Sequence, residues 1–166
     1  MSLTATQFRL KLDFEKSHRL ATDLMAYSST RFPAFDGTLA NVSSYVLETL
    51  ADIAVCGRRV LEAEVPEEKE RASIMTKPSC FVFTGGPKQD EPLPVQFILN
   101  GIIHAKKIWL NHAKGTGSWE PCGDFVIQGF GIKTDKREYP HIDLFGFAHG
   151  FLGRPAISLN TLLKGV

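Results

Sequence analysis

Three cysteines in 166 residues, Cys56, Cys80 and Cys122, are too few and too scattered for a disulfide framework, and no C-x-x-C pair is present to begin a zinc knuckle. Their placement points to a reducing cytoplasm. An excess of charge of either sign is also missing. A formal net charge of +1 gives no global reason to expect nucleic acid or an anionic membrane as partner. No apolar run approaches the roughly 20 residues that cross a bilayer, and the N-terminus lacks the apolar core of a signal peptide. The sequence reading is therefore of a soluble chain, neither exported nor membrane-spanning. A phosphate loop is absent too: Gly85, Gly86, Pro87 and Lys88 imitate one, but the spacing is wrong and Pro87 removes a cradling N–H. No serine sits in a G-x-S-x-G elbow, and there is no repeat or low-complexity segment.

What is present is an ordinary apolar content, 43%, on a chain long enough for one core, which predicts a single globular domain over 1–166. The patterning predicts an α+β, predominantly helical fold. Gln7 to Phe14 alternates apolar and polar residues, the two-residue period of a half-buried strand. From Ser17 the period becomes helical over residues 17–32, with Asp13 or Ser17 as N-cap and Pro33 just beyond the end. A second long helix spans residues 38–64, where Ala54 and Gly57 are small enough to let another backbone approach. Gly57 costs about 1 kcal/mol in a helix interior, so a compensating contact is expected there. An acidic connection follows over residues 62–71.

A third helix, central to this reading, is predicted over residues 94–114. Pro94 suits its first turn, Gly115 its stop, and Gln96, Asn100, His104, Lys107, Asn111 and Lys114 form one polar stripe. Residues 125–133 and 138–143 flank the polar turn Thr134 to Arg137 as a hairpin, which with residues 7–14 makes a small antiparallel sheet. Short C-terminal helices complete the fold. One starts at Asp143 as N-cap, with Gly153 and Pro155 at its end, and another lies within 158–164.

Three sets of residues are candidates for function. On a strand, His141 and Asp143 project from one face and could act as acid and base or begin a metal site, needing a further ligand from His104, His18 or Glu120. The plain alternative is Asp143 as an N-cap. On the polar stripe, Asn100, His104, Lys107 and Asn111 are ligand-binding candidates: amides and imidazole both donate and accept, which suits a position under the hairpin, at a dimer interface or in a cleft. Lys107, Lys114, Lys133, Lys136 and Arg137 are nucleic-acid candidates, with Lys106 beside them, although Glu120, Asp124, Asp135 and Glu138 lie among them. His112 reads as a core histidine near Trp109, and Cys122, near Trp119 and Glu120, as the one thiol outside an apolar run.

The paired long helices invite comparison with the HEPN ribonucleases. Their R-x4-6-H spacing is not met, since three residues separate Arg137 from His141. No metal and no cofactor is expected. The reading is of a small soluble cytoplasmic protein that binds or regulates, with an unknown protein or small molecule as partner and a homo-oligomer as one form. The alternatives are a small enzyme using His141 and Asp143 and a module binding RNA or DNA through the basic residues.

Overall fold

The computed structural model describes residues 3–35, 37–64, 80–83, 91–114 and 123–152. The acidic residues 65–71, the glycine-rich loop at Gly85 to Lys88, Gly115, Trp119, Glu120, Cys122, Gly153, Pro155 and the segment 158–164 lie outside the described residues. In chain order the elements are α1 (Ala5–Ser29), β1 (Phe32–Pro33), α2 (Thr38–Glu64), β2 (Cys80–Phe83), β3 (Glu91–Leu93), α3 (Val95–Ile103), β4 (Lys107–Lys114), β5 (Asp124–Lys133), β6 (Glu138–Asp143) and α4 (Leu144–Leu152). The fold is α+β and helix-dominated, with two long helices, two short ones and an antiparallel sheet among the described residues.

The segment 7–14 is helix, not strand. A capping box starts α1 ahead of it: the Gln7 amide donates to Thr4 Oγ1 at 3.2 Å and the Thr4 amide to Gln7 Oε1 at 3.0 Å. The alternating apolar residues belong to two helical stripes. Leu10 and Phe14 pack with Val60 and Ala63 of α2, whereas Phe8 and Leu12 remain about half exposed. Ser17 is not a cap but a buried residue inside the helix, its hydroxyl donating to the Phe14 carbonyl, and Asp13 meets Arg59 across the helix pair.

Helix α2 has the predicted bounds. It is long and apolar enough, by length and composition, to cross a bilayer. Its inner side is already occupied, because Val46, Leu50, Ile53, Ala54 and Val60 are fully buried in the core. The gap left by Gly57 is filled by a side chain rather than a backbone: a Cβ there would stand 2.8 Å from the Phe151 ring of α4 and 3.6 Å from Leu99 of α3.

The predicted helix 94–114 is half helix and half strand. Helix α3 stops at Ile103, His104 takes a non-helical ψ of 13°, and from Lys107 the chain runs as β4 along β5. Ile108 and Trp109, one β-branched and one aromatic, favour a strand. Eight cross-strand pairs with β5 then outweigh whatever helical tendency the segment has. The predicted hairpin β5–β6 forms, and α4 begins where Asp143 was expected to cap it.

Strand β5 is the centre of the sheet. At its lower end Phe125 is paired by Lys114 of β4 on one edge and by Phe32 of β1 on the other. Further along, β6 shares the edge with β1, and β2 and β3 continue the sheet beyond β6. The inner face carries Ile127, Phe130, Ile132 and Ile142 against Leu24, Leu50, Ile98, Leu99 and Phe147, all fully or almost fully buried. Burying each such side chain contributes about 1.5–3 kcal/mol against exposure. The sheet therefore has an outer face, and its hairpin end projects beyond the end of α3.

Candidate functional site

The end of α3 and the hairpin end of the sheet enclose a cleft of about 490 Å³, lined by Phe97, Asn100, Gly101 and His104 from the helix and by Thr134, Asp135, Lys136, Arg137 and Tyr139 from the hairpin. Residues 97, 100, 101 and 104 share one side of a helix by their spacing. Gly101 lets that helix settle on the sheet, since a Cβ there would stand 3.1 Å from Ile132 Cδ1. The turn opposite is fastened by one side chain. Thr134 Oγ1 accepts from the amides of Lys136 (3.3 Å) and Arg137 (3.1 Å), and the Thr134 amide donates to the Arg137 carbonyl at 2.8 Å. The Arg137 guanidinium in turn donates to the Tyr139 hydroxyl at 3.3 Å. One polar atom stands out: Asn100 Oδ1 is shut off from solvent and has no hydrogen-bond partner.

Of the four ligand-binding candidates on the stripe, only Asn100 and His104 reach this cleft. Lys107 and Asn111 lie on β4, a different element, and do other things. The Lys107 ammonium sits 5.8 Å from the Trp109 ring centroid, within cation–π range. Asn111 belongs to the outer face of the sheet, and its partners depend on Gly129. Strands β4 and β6 flank β5, about 9–10 Å apart, too far for ordinary side chains to meet over an occupied central position. With no side chain at 129, the His141 ring lies over β5; a Cβ there would be 2.6 Å from its Cε1. Asn111 Nδ2 then donates to the Pro140 carbonyl and to His141 Nδ1, both at 2.9 Å. A carbonyl can only accept, so the amide orientation is fixed, Nδ1 of His141 is the acceptor, and the ring proton is on Nε2. Pro140 has no N–H for the ladder, and the β5–β6 register shifts beside it. Gly131 repeats the device, its missing side chain replaced by the Trp109 indole.

His141 and Asp143 do share a basin, of about 670 Å³, with Ser28, Val126, Gln128 and Phe145. One polar atom of each, His141 Nδ1 and Asp143 Oδ2, is engaged in holding the fold. Asp143 Oδ2 accepts from the Gly146 amide at 2.6 Å, the N-cap bond of α4, and Gly146 leaves the carboxylate the room it needs. The ligands that would have to join them are elsewhere. His18 stacks on Phe14 with ring centroids 4.2 Å apart, His104 is in the other cavity, and Glu120 is outside the described residues. Among the described residues, no three His, Cys, Asp or Glu side chains gather as a metal site would require. His112 is not a core histidine. It is exposed on β4, edge-on to Phe125.

The basic candidates divide in the same way. Lys133 pairs with Glu138 at 2.9 Å and Lys106 with Asp135, both pairs exposed and so worth at most about 1 kcal/mol each. Lys107 and Lys133 are cross-strand partners, but Lys114 is at the far end of β4, about 23 Å away at roughly 3.3 Å per residue. Lys107, Lys133, Lys136 and Arg137 thus gather at the hairpin end, interleaved with carboxylates, and Lys114 does not join them.

Among the described residues, two buried titratable groups lie outside both cavities. Cys56 donates from Sγ to the Asp52 carbonyl, and burial pushes its pKa up to about 11, which leaves a protonated, inert thiol at neutral pH. Asp124, at the start of β5, is buried with Oδ2 3.5 Å from Arg31 Nη1 and Oδ1 without a partner. The sequence reading placed Asp124 only among the charges around the basic residues. It also missed Phe97, Gly101, Thr134, Asp135 and Tyr139 as cleft residues, although the polar turn itself was visible. No protein-family model, no curated protein and no solved structure matches this chain.

Proposed function

We propose that this is a non-catalytic small-molecule-binding protein of the cytoplasm, and that its ligand occupies the cleft between the end of α3 and the β5–β6 turn. The observation that carries the reading is the Asn100 side-chain oxygen, buried there without a partner. Leaving a buried acceptor unpaired costs about 1–3 kcal/mol, and folded proteins leave few such groups unexplained. Because that oxygen is closed to solvent as it stands, a ligand N–H or O–H would supply the missing bond once the Asn100 side chain turns toward the cleft. The cavity volume is in the range of about 300–1,000 Å³ usual for small-molecule sites. Phe97 and Tyr139 offer it ring surface, and the Thr134 hydroxyl, the one alcohol besides Tyr139 in the lining, is engaged by the turn backbone rather than poised as a nucleophile.

Asn100→Leu tests this. Removing an orphaned acceptor should stabilise the ligand-free protein by about 1 kcal/mol, a rise of about 2–4 °C in melting temperature. Metabolites that raise the melting temperature of the native protein should lose that effect on the variant. A variant that melts lower than the native protein and responds to the same compounds would overturn the reading.

A further inference from the structure

The margins of the sheet are not alike. A strand at a margin carries an unpaired row of N–H and C=O groups, which short length, proline and bulges blunt. Two margins are blunted in this way: β1 has two residues, one of them Pro33, and β3 has three, with Pro92 at its middle. Strand β4 is eight residues long, contains no proline and, among the described residues, pairs only with β5. Its own alternation is unbroken, because the register shift at Asn111 and His112 places the extra residue, Gln128, in β5. In an antiparallel edge strand every second residue turns its N–H and C=O outward, so about four residues of β4 direct both groups away from β5. No described backbone group bonds to that outer row. None of the residues of β4 is buried, and Ile108 and Leu110, which pack against the core, stay half-buried as rim residues do when no strand lies beyond them.

From this we infer that the outer edge of β4 is a docking site for an extended acidic peptide of a partner protein, which adds to the sheet as one more strand. Charge selects the occupant. Between His104 and Lys114 the chain carries three lysines, two histidines and no carboxylate. Lys106 is paired with Asp135, but Lys107 and Lys114, at the two ends of β4, have no ion pair among the described residues, and the Lys107 ammonium rests near the Trp109 ring. A second copy of β4 is a poor occupant. Full-length pairing of the strand with itself about a two-fold axis sets Lys107 opposite Lys114, and like charges directly opposite are destabilising. A peptide with a carboxylate at each end meets both lysines whichever way it runs. Ile108 and Leu110 project to the core side of β4, and Trp109 and Asn111 to the outer side, so apolar residues at alternate positions of the peptide would cover the half-buried pair.

The experiment is NMR titration of the native protein with a peptide as long as β4, alternating threonine and valine between terminal glutamates, and with a copy that ends in lysines instead. The glutamate peptide is expected to shift the amide resonances of β4 and to bind about tenfold tighter than the lysine copy, since two exposed ion pairs form in one case and two like-charge contacts in the other. The double variant Lys107→Glu, Lys114→Glu, at two exposed positions, should reverse that order while melting as the native protein does. Two further copies of the glutamate peptide carry N-methyl groups, one on alternate amides and the other on the intervening ones. Only one edge of an added strand bonds to β4, so one methylated copy should bind about tenfold more weakly and the other nearly as well as the parent. Equal loss or no loss in the two copies would show that no strand is added, and a lysine peptide that binds as tightly would remove the charge selection. A dimer in sedimentation of the protein alone, broken by the double variant's opposite charges or by peptide, would assign the edge to a second copy, and tighter binding of a single-stranded oligonucleotide at β4 would assign the lysines to nucleic acid. Either result overturns the proposal, as does a β4 that no peptide shifts at millimolar concentration.

Discussion

The cleft at the end of α3 and the basin around His141 are neighbours on the same hairpin, each lined by a histidine, a carboxylate and an aromatic ring. They differ in what their polar atoms already do. In the basin, Asn111 has two acceptors, His141 Nδ1 is taken, and Asp143 caps a helix. In the cleft, the Asn100 oxygen has nothing and Lys136 has no ion pair among the described residues. Polar side chains that satisfy one another specify a fold; a buried acceptor left unsatisfied beside a cavity is what the proposed binding site rests on. The residue types, which are similar, do not make this distinction. Only the bonds do.

The largest effect should come from breaking the basin at its floor. Gly129→Ala would drive a methyl group into the Ile142 carbonyl oxygen and the His141 ring, and a backbone atom cannot step aside as a flexible side chain would. The expected cost is about 3 kcal/mol or more, or a fall of about 6–12 °C in melting temperature. An alanine variant with native stability would mean that the His141 ring does not lie over β5, and the contrast between the two cavities would lose its foundation.

A sharper comparison applies one substitution to both asparagines. Asn111→Leu removes a donor from two acceptors and leaves the Pro140 carbonyl unsatisfied, so it should destabilise by about 2 kcal/mol, whereas Asn100→Leu should stabilise. Opposite signs in thermal unfolding would establish that one amide is structural and that the other is unsatisfied in the ligand-free protein, as the proposed site requires. Equal signs would remove the difference on which the cleft was chosen.

These bonds were not legible in the sequence, and the reason is a single ambiguity. Residues four apart share a face in a helix and also in a strand. Phe8 with Leu12 and Leu10 with Phe14 therefore imitated a strand while belonging to two sides of α1, and Lys107 with Asn111 prolonged a helical stripe while standing on β4. What breaks the ambiguity in each case is not periodic: a Thr4–Gln7 capping box at one place, and at the other the pairing of all eight residues of β4 with a strand beyond the next loop. Where the signal was local it held. The bounds of α2, the hairpin around Thr134 to Arg137 and the start of α4 at Asp143 follow from patterning, turn residues and a cap. The cleft needed Asn100 to be brought beside a turn more than thirty residues later, which no local pattern encodes. The alliance of Asn111 with His141 needed Gly129 to be recognised as a crossing point between strands, and a lone glycine in a strand has other uses.

The smallest effect sharpens the assignment of the basin. Asp143 can be tested as a cap or as a chemical group because the two roles ask for different atoms. Capping needs one side-chain oxygen to accept from the Gly146 amide, which serine provides as well as aspartate does. Acid–base or metal chemistry needs the carboxylate. Asp143→Ala should cost about 1 kcal/mol, a loss of about 2–4 °C in melting temperature. Asp143→Ser should recover most of that loss, and neither variant should alter binding in the cleft. The recovery by serine is the decisive reading, since a hydroxyl restores the first turn of α4 but cannot replace a carboxylate as base or ligand. Calorimetric titration of native protein with zinc and with manganese completes the test: binding that both variants abolish, with no cap-like ranking in their stabilities, would return His141 and Asp143 to the centre of the function.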